Sequence, residues 1–217
     1  MQLLIDQLIG HGLRDRVLTE RQLARVIGGT AARRYGLVNR ALKADQLVRL
    51  RRGLYVLAPK FRTRATHPFA LAQALESVSY ISFETALSHH GWIPERTHVT
   101  ASVVPGRKSS QLDHPTLGGF TFHPLAVHRT HFLELIERRQ FDGQTALVAM
   151  PVRALMDLVT LRKVEWQGLG WLAEGMRIER QSLQTITRKQ VRTLSQVYKH
   201  IRSQQFLSAL ARDLGLD

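Results

Sequence analysis

Cationic and amide side chains recur at two neighbouring places in the first quarter of the chain. The segment LVRLRRGLYVLAP (47–59) carries three arginines at or beside a glycine, and AARRYGLVNRALK (31–43) carries further basic residues and an asparagine. A guanidinium group binds phosphate oxygens or the O6 and N7 atoms of guanine, and an asparagine amide pairs with N6 and N7 of adenine. These residue types predict contacts to a phosphate-rich partner.

Apolar spacing predicts two short helices ahead of this region. The segment MQLLIDQLI (1–9) places apolar residues three and four apart, on one helical face. A second helix follows Thr19, whose hydroxyl suits an N-cap, and it ends at Gly28 and Gly29. The glycine pair then predicts a turn before a third helix.

The third helix begins after Thr30 and exposes basic residues. Its predicted inward positions are Tyr35, Val38, Ala41 and Leu42. The candidate contact residues on the remaining surface are Arg33, Arg34, Asn39, Arg40 and Lys43. The first four of these have the chemistry to read base edges, whereas the lysine is expected to hold a phosphate.

The segment after the third helix predicts a two-stranded hairpin. Side chains alternate along a strand, so Arg49 and Arg51 share one face and their apolar neighbours share the other. Gly53 relaxes the bend, and Arg52 sits at its tip. We expect all three arginines to hold phosphates. Helix, helix, turn, helix and hairpin is the order of a winged helix-turn-helix, which binds duplex DNA.

The net charge supports an acidic partner. The 217 residues include 31 Lys plus Arg and 17 Asp plus Glu, a net charge of +14, and 44% of the residues are hydrophobic, which is too many for a disordered basic tail. Residues 1–66 hold 14 of the basic and 4 of the acidic residues. The charge is thus concentrated where the DNA-binding hairpin is predicted.

The sequence favours a cytoplasmic protein without a membrane segment. No apolar run approaches the roughly 20 residues of a spanning helix, and the start lacks a basic segment followed by a cleavage site. The absence of cysteine excludes disulfides and thiolate metal sites, which suits a reducing compartment.

Composition and periodicity divide the chain into two domains of an α+β protein. We predict a winged helix-turn-helix over 1–58, a basic, proline-containing linker over 59–66, and a mixed α/β domain with a helical C-terminal tail over 67–217. The predicted elements of the second domain are helices HPFALAQALE, ETALSHHG and PVRALMDLVTL, strands VSYISF, THVTASVV, GFTFHPLAV and TALVAM, a polar loop PGRKSSQLDHPTLGG, and two final helices around 168–182 and 187–214.

Three segments in this order resemble the AbiEi family of antitoxins from type IV toxin-antitoxin (abortive infection) systems. They are RLRRGLYVL (49–57), YISFETALSHHGWIPE (80–95) and LVAMPVRALMDLV (147–159), and the resemblance spans roughly residues 1–160. It implies a winged helix that represses its own operon through inverted repeats in double-stranded DNA. It also implies a C-terminal domain that counters a nucleotidyltransferase toxin.

Two other classes of function stay open on the sequence. One is a stand-alone winged-helix transcriptional regulator whose C-terminal domain dimerises or senses a ligand. The other is a nuclease, since Asp157, Glu165 and Gln167 have roughly the spacing of the two carboxylates and the lysine of a metal-dependent nuclease. Gln167 replaces the lysine that such sites use, so we expect Asp157 to be a carboxylate on a helix surface.

The histidines and glycines do not indicate an enzyme. His89 with His90, and the HxxH pair His128 and His131, lack a Cys or a nearby pair of Glu or Asp residues that would complete a zinc site. No glycine-rich phosphate loop or nucleophile motif occurs. We therefore predict no catalytic activity, no metal and no cofactor. The expected partners are operator DNA, the toxin and a second copy of the chain.

Overall fold

The computed structural model describes residues 2–216, with side chains from Leu4 onward. The chain divides into two compact units. The first comprises the residues up to Ser77 together with Gln140–Gln144, and the second comprises Val78–Arg139 and the chain from Thr145 onward. Both units contain helices and strands, which confirms the predicted α+β class.

The first unit contains four α-helices, a short 3₁₀ helix and a three-stranded antiparallel sheet of order β1-β3-β2. In chain order they are α1 (Gln2–Gly10), β1 (Leu18–Thr19), α2 (Glu20–Ile27), α3 (Ala31–Lys43), β2 (Leu47–Arg51), β3 (Leu54–Leu57), a 3₁₀ helix (Pro59–Phe61) and α4 (Pro68–Leu75). The hairpin predicted after α3 is therefore confirmed. Strand β1 was not predicted, because two residues are too few to show a period.

Side-chain caps begin α2 and α3, and a glycine ends α2. The Thr19 hydroxyl accepts a hydrogen bond from Gln22 N at 3.2 Å, and the Gln22 side chain accepts one from Thr19 N at 2.8 Å. This capping box satisfies two of the free N–H groups of α2. Gly28 ends the helix with a φ of 63°, which side chains with a Cβ avoid. Thr30 then caps α3 by accepting a hydrogen bond from Arg33 N.

The apolar face of α3 packs into the core of the first unit. Val38 and Ala41 are buried there, together with residues of α1, α2 and the hairpin. Tyr35, predicted to point inward, is 72% exposed. On an α-helix Tyr35 lies about 120° around the axis from Ala41, at the margin of the apolar stripe. The tyrosine therefore belongs to the outer surface of α3.

The predicted linker over 59–66 belongs to the first unit in the structure. The Asp15 carboxylate accepts hydrogen bonds from Thr63 N at 2.9 Å and Arg64 N at 3.2 Å, which fasten this segment. Helix α4, predicted in the second domain, lies in the first unit as well. The boundary between the units falls after Ser77, beyond the predicted end of the first domain at residue 58.

The second unit is built on a six-stranded mixed sheet of order β6-β7-β5-β4-β9-β8. Its elements are β4 (Tyr80–Ile81), α5 (Phe83–His89), β5 (Val99–Val104), β6 (Ser110–His114), β7 (Gly118–Pro124), a 3₁₀ helix (Arg129–His131), β8 (Ile136–Phe141), β9 (Gln144–Ala149), α6 (Pro151–Arg162), α7 (Leu169–Glu174), α8 (Arg180–Gln184), α9 (Arg188–Leu194) and α10 (Ile201–Asp213). Strands β5 and β7 are parallel, as are β4 and β9. The turn that joins β8 to β9 is grouped with the first unit.

Two predictions about the second unit are wrong in detail, and one strand was not predicted. The predicted polar loop contains β6, which pairs with β7 although its side chains are largely exposed. Strand β8 (IERRQF) was not predicted, because its charged residues hide the period. The region of the two predicted final helices contains four shorter helices, α7 to α10. Arg177 has a φ of 55°, outside the helical range, and it lies in the break between α7 and α8.

Candidate nucleic-acid interface

Helix α3 and the β2–β3 hairpin form the two sides of a groove in the first unit. Its volume is about 370 Å³. Gly53, with a φ of 79°, makes the turn between the strands, and Glu20 N donates a hydrogen bond of 3.0 Å to its carbonyl. The lining residues are Glu20, Leu23, Ala31, Arg34, Tyr35, Val38, Asn39, Arg49, Arg52, Gly53 and Tyr55.

The groove brings together half of the eight predicted contact residues. Arg34 and Asn39 reach it from α3, and Arg49 and Arg52 reach it from the hairpin. The other four are exposed but lie outside the groove lining: Arg33, Arg40, Lys43 and Arg51. The groove thus combines residue types that bind base edges with residue types that bind phosphate.

A bulge in β2 separates the hairpin arginines. Arg49 lies opposite Tyr55, but Arg51 lies opposite Leu54, so Leu50 is the extra residue of β2. A bulge redirects the side chains of its strand. The Arg49 guanidinium lies 6.0 Å from the centre of the Tyr55 ring, whereas Arg51 Nη1 lies 3.3 Å from Glu76 Oε1. The predicted shared face of Arg49 and Arg51 is therefore interrupted.

Two groove residues were missed by sequence reasoning. Tyr35 presents an exposed ring beside Arg34, and Glu20 contributes a carboxylate. The groove lining that the structure describes therefore holds three cations and one anion. A carboxylate repels phosphate but accepts a hydrogen bond from cytosine N4, so Glu20 favours contact with base edges over contact with the backbone.

Arg34 is positioned by the turn before its helix. Its Nη1 donates a hydrogen bond to the Gly29 carbonyl, which orients the guanidinium at the start of α3. Gly29 itself has a φ of 69°. The glycine pair that ends α2 therefore also places an arginine in the groove, and a glycine followed five residues later by arginine was the available sequence signal.

The second unit contains a fully buried ionic network around Asp157. Asp157 Oδ1 accepts hydrogen bonds from Arg153 Nε at 3.0 Å and Tyr198 Oη at 2.7 Å. Asp157 Oδ2 accepts hydrogen bonds from Ser82 Oγ at 2.7 Å and Tyr80 Oη at 3.0 Å. Both charged side chains are 0% exposed. The prediction that Asp157 is a surface carboxylate is therefore wrong.

The same network ties Arg153 to the backbone of a loop. Its Nη2 donates to Tyr80 Oη at 2.6 Å, and its Nη1 donates to the Glu134 carbonyl at 3.1 Å. Each remaining polar atom of the guanidinium is thus satisfied, as a buried charge requires. The Glu165 side chain, by contrast, is 81% exposed and lies 3.7 Å from Arg202. Within residues 2–216 no three His, Cys, Asp or Glu side chains are grouped as metal ligands.

Burial makes the two network tyrosines weaker acids than an exposed tyrosine. Removal from water, together with the charge of Asp157, raises the pKa of Tyr80 well above its usual value. Burial likewise raises the pKa of Tyr198 well above its usual value, against an opposing effect of Arg153 and with a further increase from Asp157. Both phenols therefore remain protonated donors in the folded state at pH values where an exposed tyrosine ionises.

We expect the free energy of unfolding to fall above pH 10 because of these tyrosines. In the unfolded chain both ionise near pH 10, whereas in the fold they keep their protons, so the unfolded state binds fewer protons. The loss is about 1.4 kcal/mol per pH unit for each tyrosine. Urea unfolding between pH 9 and 11 measures it.

The variant Tyr198→Phe should show a shallower decline of unfolding free energy above pH 10 than the parent chain. Tyr35→Phe is the matched control, because Tyr35 is 72% exposed. Equal declines for Tyr198→Phe and the parent would contradict the assignment.

The histidine pairs named from the sequence make packing and surface contacts: the rings of His89 and His90 meet edge to face, with centres 5.1 Å apart. His90 Nε2 is 2.9 Å from the Ala149 carbonyl oxygen, and burial lowers the pKa of this histidine. His131 Nδ1 lies 3.7 Å from Glu134 Oε1, and His128 is exposed. These contacts are typical of packing and surface histidines.

Comparison of the chain with known protein families finds no matching family, and comparison with curated proteins finds no matching sequence. Within residues 2–216 no helix has the length and apolar character needed to cross a bilayer.

Proposed function

We propose that this protein binds double-stranded DNA through a winged helix-turn-helix made of α1–α3 and the β2–β3 hairpin. The groove that gathers Arg34, Asn39, Arg49 and Arg52 carries the proposal. An α-helix fits the major groove of DNA, so α3 presents Arg34 and Asn39 to base edges. The hairpin then lies against the sugar-phosphate backbone, where its two groove arginines neutralise phosphates.

We further propose that the protein is a cytoplasmic, non-enzymatic antitoxin of a type IV system, which represses its own operon and counters a nucleotidyltransferase toxin through its second unit. The support is the ordered resemblance to AbiEi antitoxins. Two of the resembling segments contain Ser82 and Asp157, which hydrogen-bond each other in the core. The resemblance thus includes members of the buried network of the second unit, which favours a common fold for this unit.

DNA binding is tested with the full chain and the DNA upstream of its own reading frame. Asn39→Ala should weaken binding to the operator about 5- to 150-fold, the equivalent of about 1–3 kcal/mol for a bidentate base contact, with little change on random DNA. Lys43→Gln, on the same helix but outside the groove, should weaken binding to operator DNA and to random DNA by a similar small factor. Equal loss on both DNAs for Asn39→Ala would remove it as a base-reading residue.

The antitoxin role is tested by co-expression with a neighbouring nucleotidyltransferase. Rescue of growth by the full chain supports it. Intact operator binding without rescue would instead identify a stand-alone transcriptional regulator with a ligand-sensing or dimerising second unit. Cleavage of DNA in magnesium that disappears in Glu165→Gln would identify a nuclease and overturn the proposal.

A further inference from the structure

The second unit contains a cleft that DNA binding does not use. It lies outside the carboxyl ends of the parallel strands β5 and β7, and its walls come from residues within 105–107 and 125–132 together with Val78 and Lys199. Ligands of sheets with parallel strands commonly bind outside these ends. The volume of about 620 Å³ falls in the range of small-molecule sites, about 300–1,000 Å³.

Three cationic side chains line this cleft. Arg107, Arg129 and Lys199 come from three separate segments, and all three are exposed. Among residues 2–216 none of them forms an ion pair, and no acidic side chain is part of the described lining. Three uncompensated charges on one concave surface favour a ligand with several negative charges.

The rest of the cleft is largely apolar. Val78 is 62% exposed, although valine is a residue type that folding usually buries. Phe132 is held in place by an edge-to-face contact with Tyr80, with ring centres 5.1 Å apart. An apolar wall with a fixed aromatic ring suits the planar part of a ligand.

Backbone hydrogen bonds fix the walls of the cleft relative to each other. Lys199 N donates to the Ala126 carbonyl at 3.0 Å, and His128 N donates to the Val197 carbonyl at 2.8 Å. These bonds join two segments about 70 residues apart in the sequence. The site is therefore formed before a ligand arrives, which lowers the entropic cost of binding.

We propose that this cleft binds a nucleoside di- or triphosphate, with the base against Phe132 and Val78 and the phosphates on Arg107, Arg129 and Lys199. A single carboxylate would leave most of the positive charge unmatched. An inorganic polyphosphate would leave the apolar wall in water. The proposal is independent of the DNA-binding proposal, because the two lining sets share no described residue.

Calorimetric titration of the full chain with ATP, GTP, adenosine and tripolyphosphate tests the proposal. The double variant Arg129→Gln/Lys199→Gln should bind nucleotide about 100-fold more weakly, because each lost charge-assisted contact weakens binding about tenfold. The matched control Arg49→Gln/Arg52→Gln removes the same charge from the first unit and should leave nucleotide binding unchanged. Val78→Asp, at an exposed position, should weaken nucleotide binding at least tenfold.

Four results would overturn the proposal. The first is no binding of either nucleotide at about 1 mM. The second is tripolyphosphate binding as tightly as ATP, since the apolar wall would then contribute nothing. The third is equal weakening by the control pair. The fourth is loss of duplex DNA binding in Arg129→Gln/Lys199→Gln with nucleotide binding retained, which would assign these cations to DNA.

Discussion

Replacement of Asp157 by asparagine is expected to lower the free energy of unfolding by about 3–5 kcal/mol. The substitution keeps the shape of the side chain but removes its charge, so Arg153 becomes a buried cation without a counter-ion. Domains of this size have a total stability of about 5–15 kcal/mol, so the loss is a large part of it. Urea unfolding followed by tryptophan fluorescence measures the change, because all three tryptophans lie in the second unit.

Two further variants distinguish loss of the buried charge from general damage. Glu165→Gln removes a carboxylate that is 81% exposed, and it should change the free energy of unfolding by less than about 0.5 kcal/mol. Arg153→Met combined with Asp157→Asn should be more stable than Asp157→Asn alone, because it removes the unmatched cation. A loss of under about 1 kcal/mol for Asp157→Asn would contradict the inference that Arg153 needs the Asp157 charge as its buried counter-ion.

Removal of both groove arginines of the hairpin should weaken operator binding about 100-fold at physiological salt. Each guanidinium–phosphate contact contributes about 1.4 kcal/mol, and Arg49→Gln/Arg52→Gln removes two. The slope of log K against log salt should become shallower by about 1.8, because two fewer counter-ions are released. Fluorescence anisotropy over a range of salt concentrations gives both quantities.

The third arginine of the hairpin is the matched control for this measurement. Arg51 lies outside the groove lining, and its guanidinium is 3.3 Å from Glu76. Arg51→Gln should therefore change the salt slope much less than either groove arginine does. Equal effects of Arg49→Gln and Arg51→Gln would mean that DNA lies along the whole hairpin and not in the groove.

Local signals predicted much of the first unit. Thr19, Thr30 and Gly28 act where caps and terminators were expected, because such effects depend on residues a few positions apart. The hairpin followed from its alternation and its glycine. The bulge of the hairpin was not predictable from the sequence, because the residue types give no sign that Leu50 has no partner opposite it on β3. The bulge at Leu50 turns Arg49 and Arg51 in different directions, and of the two only Arg49 lines the groove.

Long-range contacts were the part that periodicity did not predict. Residues 152–159 of α6 are all buried, including Arg153 and Asp157, so the helix has no solvated face to show a pattern. Arginine and aspartate four residues apart in such a helix were the available signal for a buried pair. Tyr198 joins the network from 41 residues away, a contact that only the fold brings about. The cleft of the second unit depends on the same kind of long-range contact, because its walls come from segments about 70 residues apart.

The first unit is built from two separate segments of the chain, and this affects how it folds during synthesis. The unit includes residues 140–144, and the ring of Phe141 stacks on His67 with centres 4.1 Å apart. During synthesis this unit is therefore incomplete until about two thirds of the chain has left the ribosome. Truncation after Ser77 would leave His67 without its stacking partner, so the roles proposed for the two units are tested with point variants of the intact polypeptide.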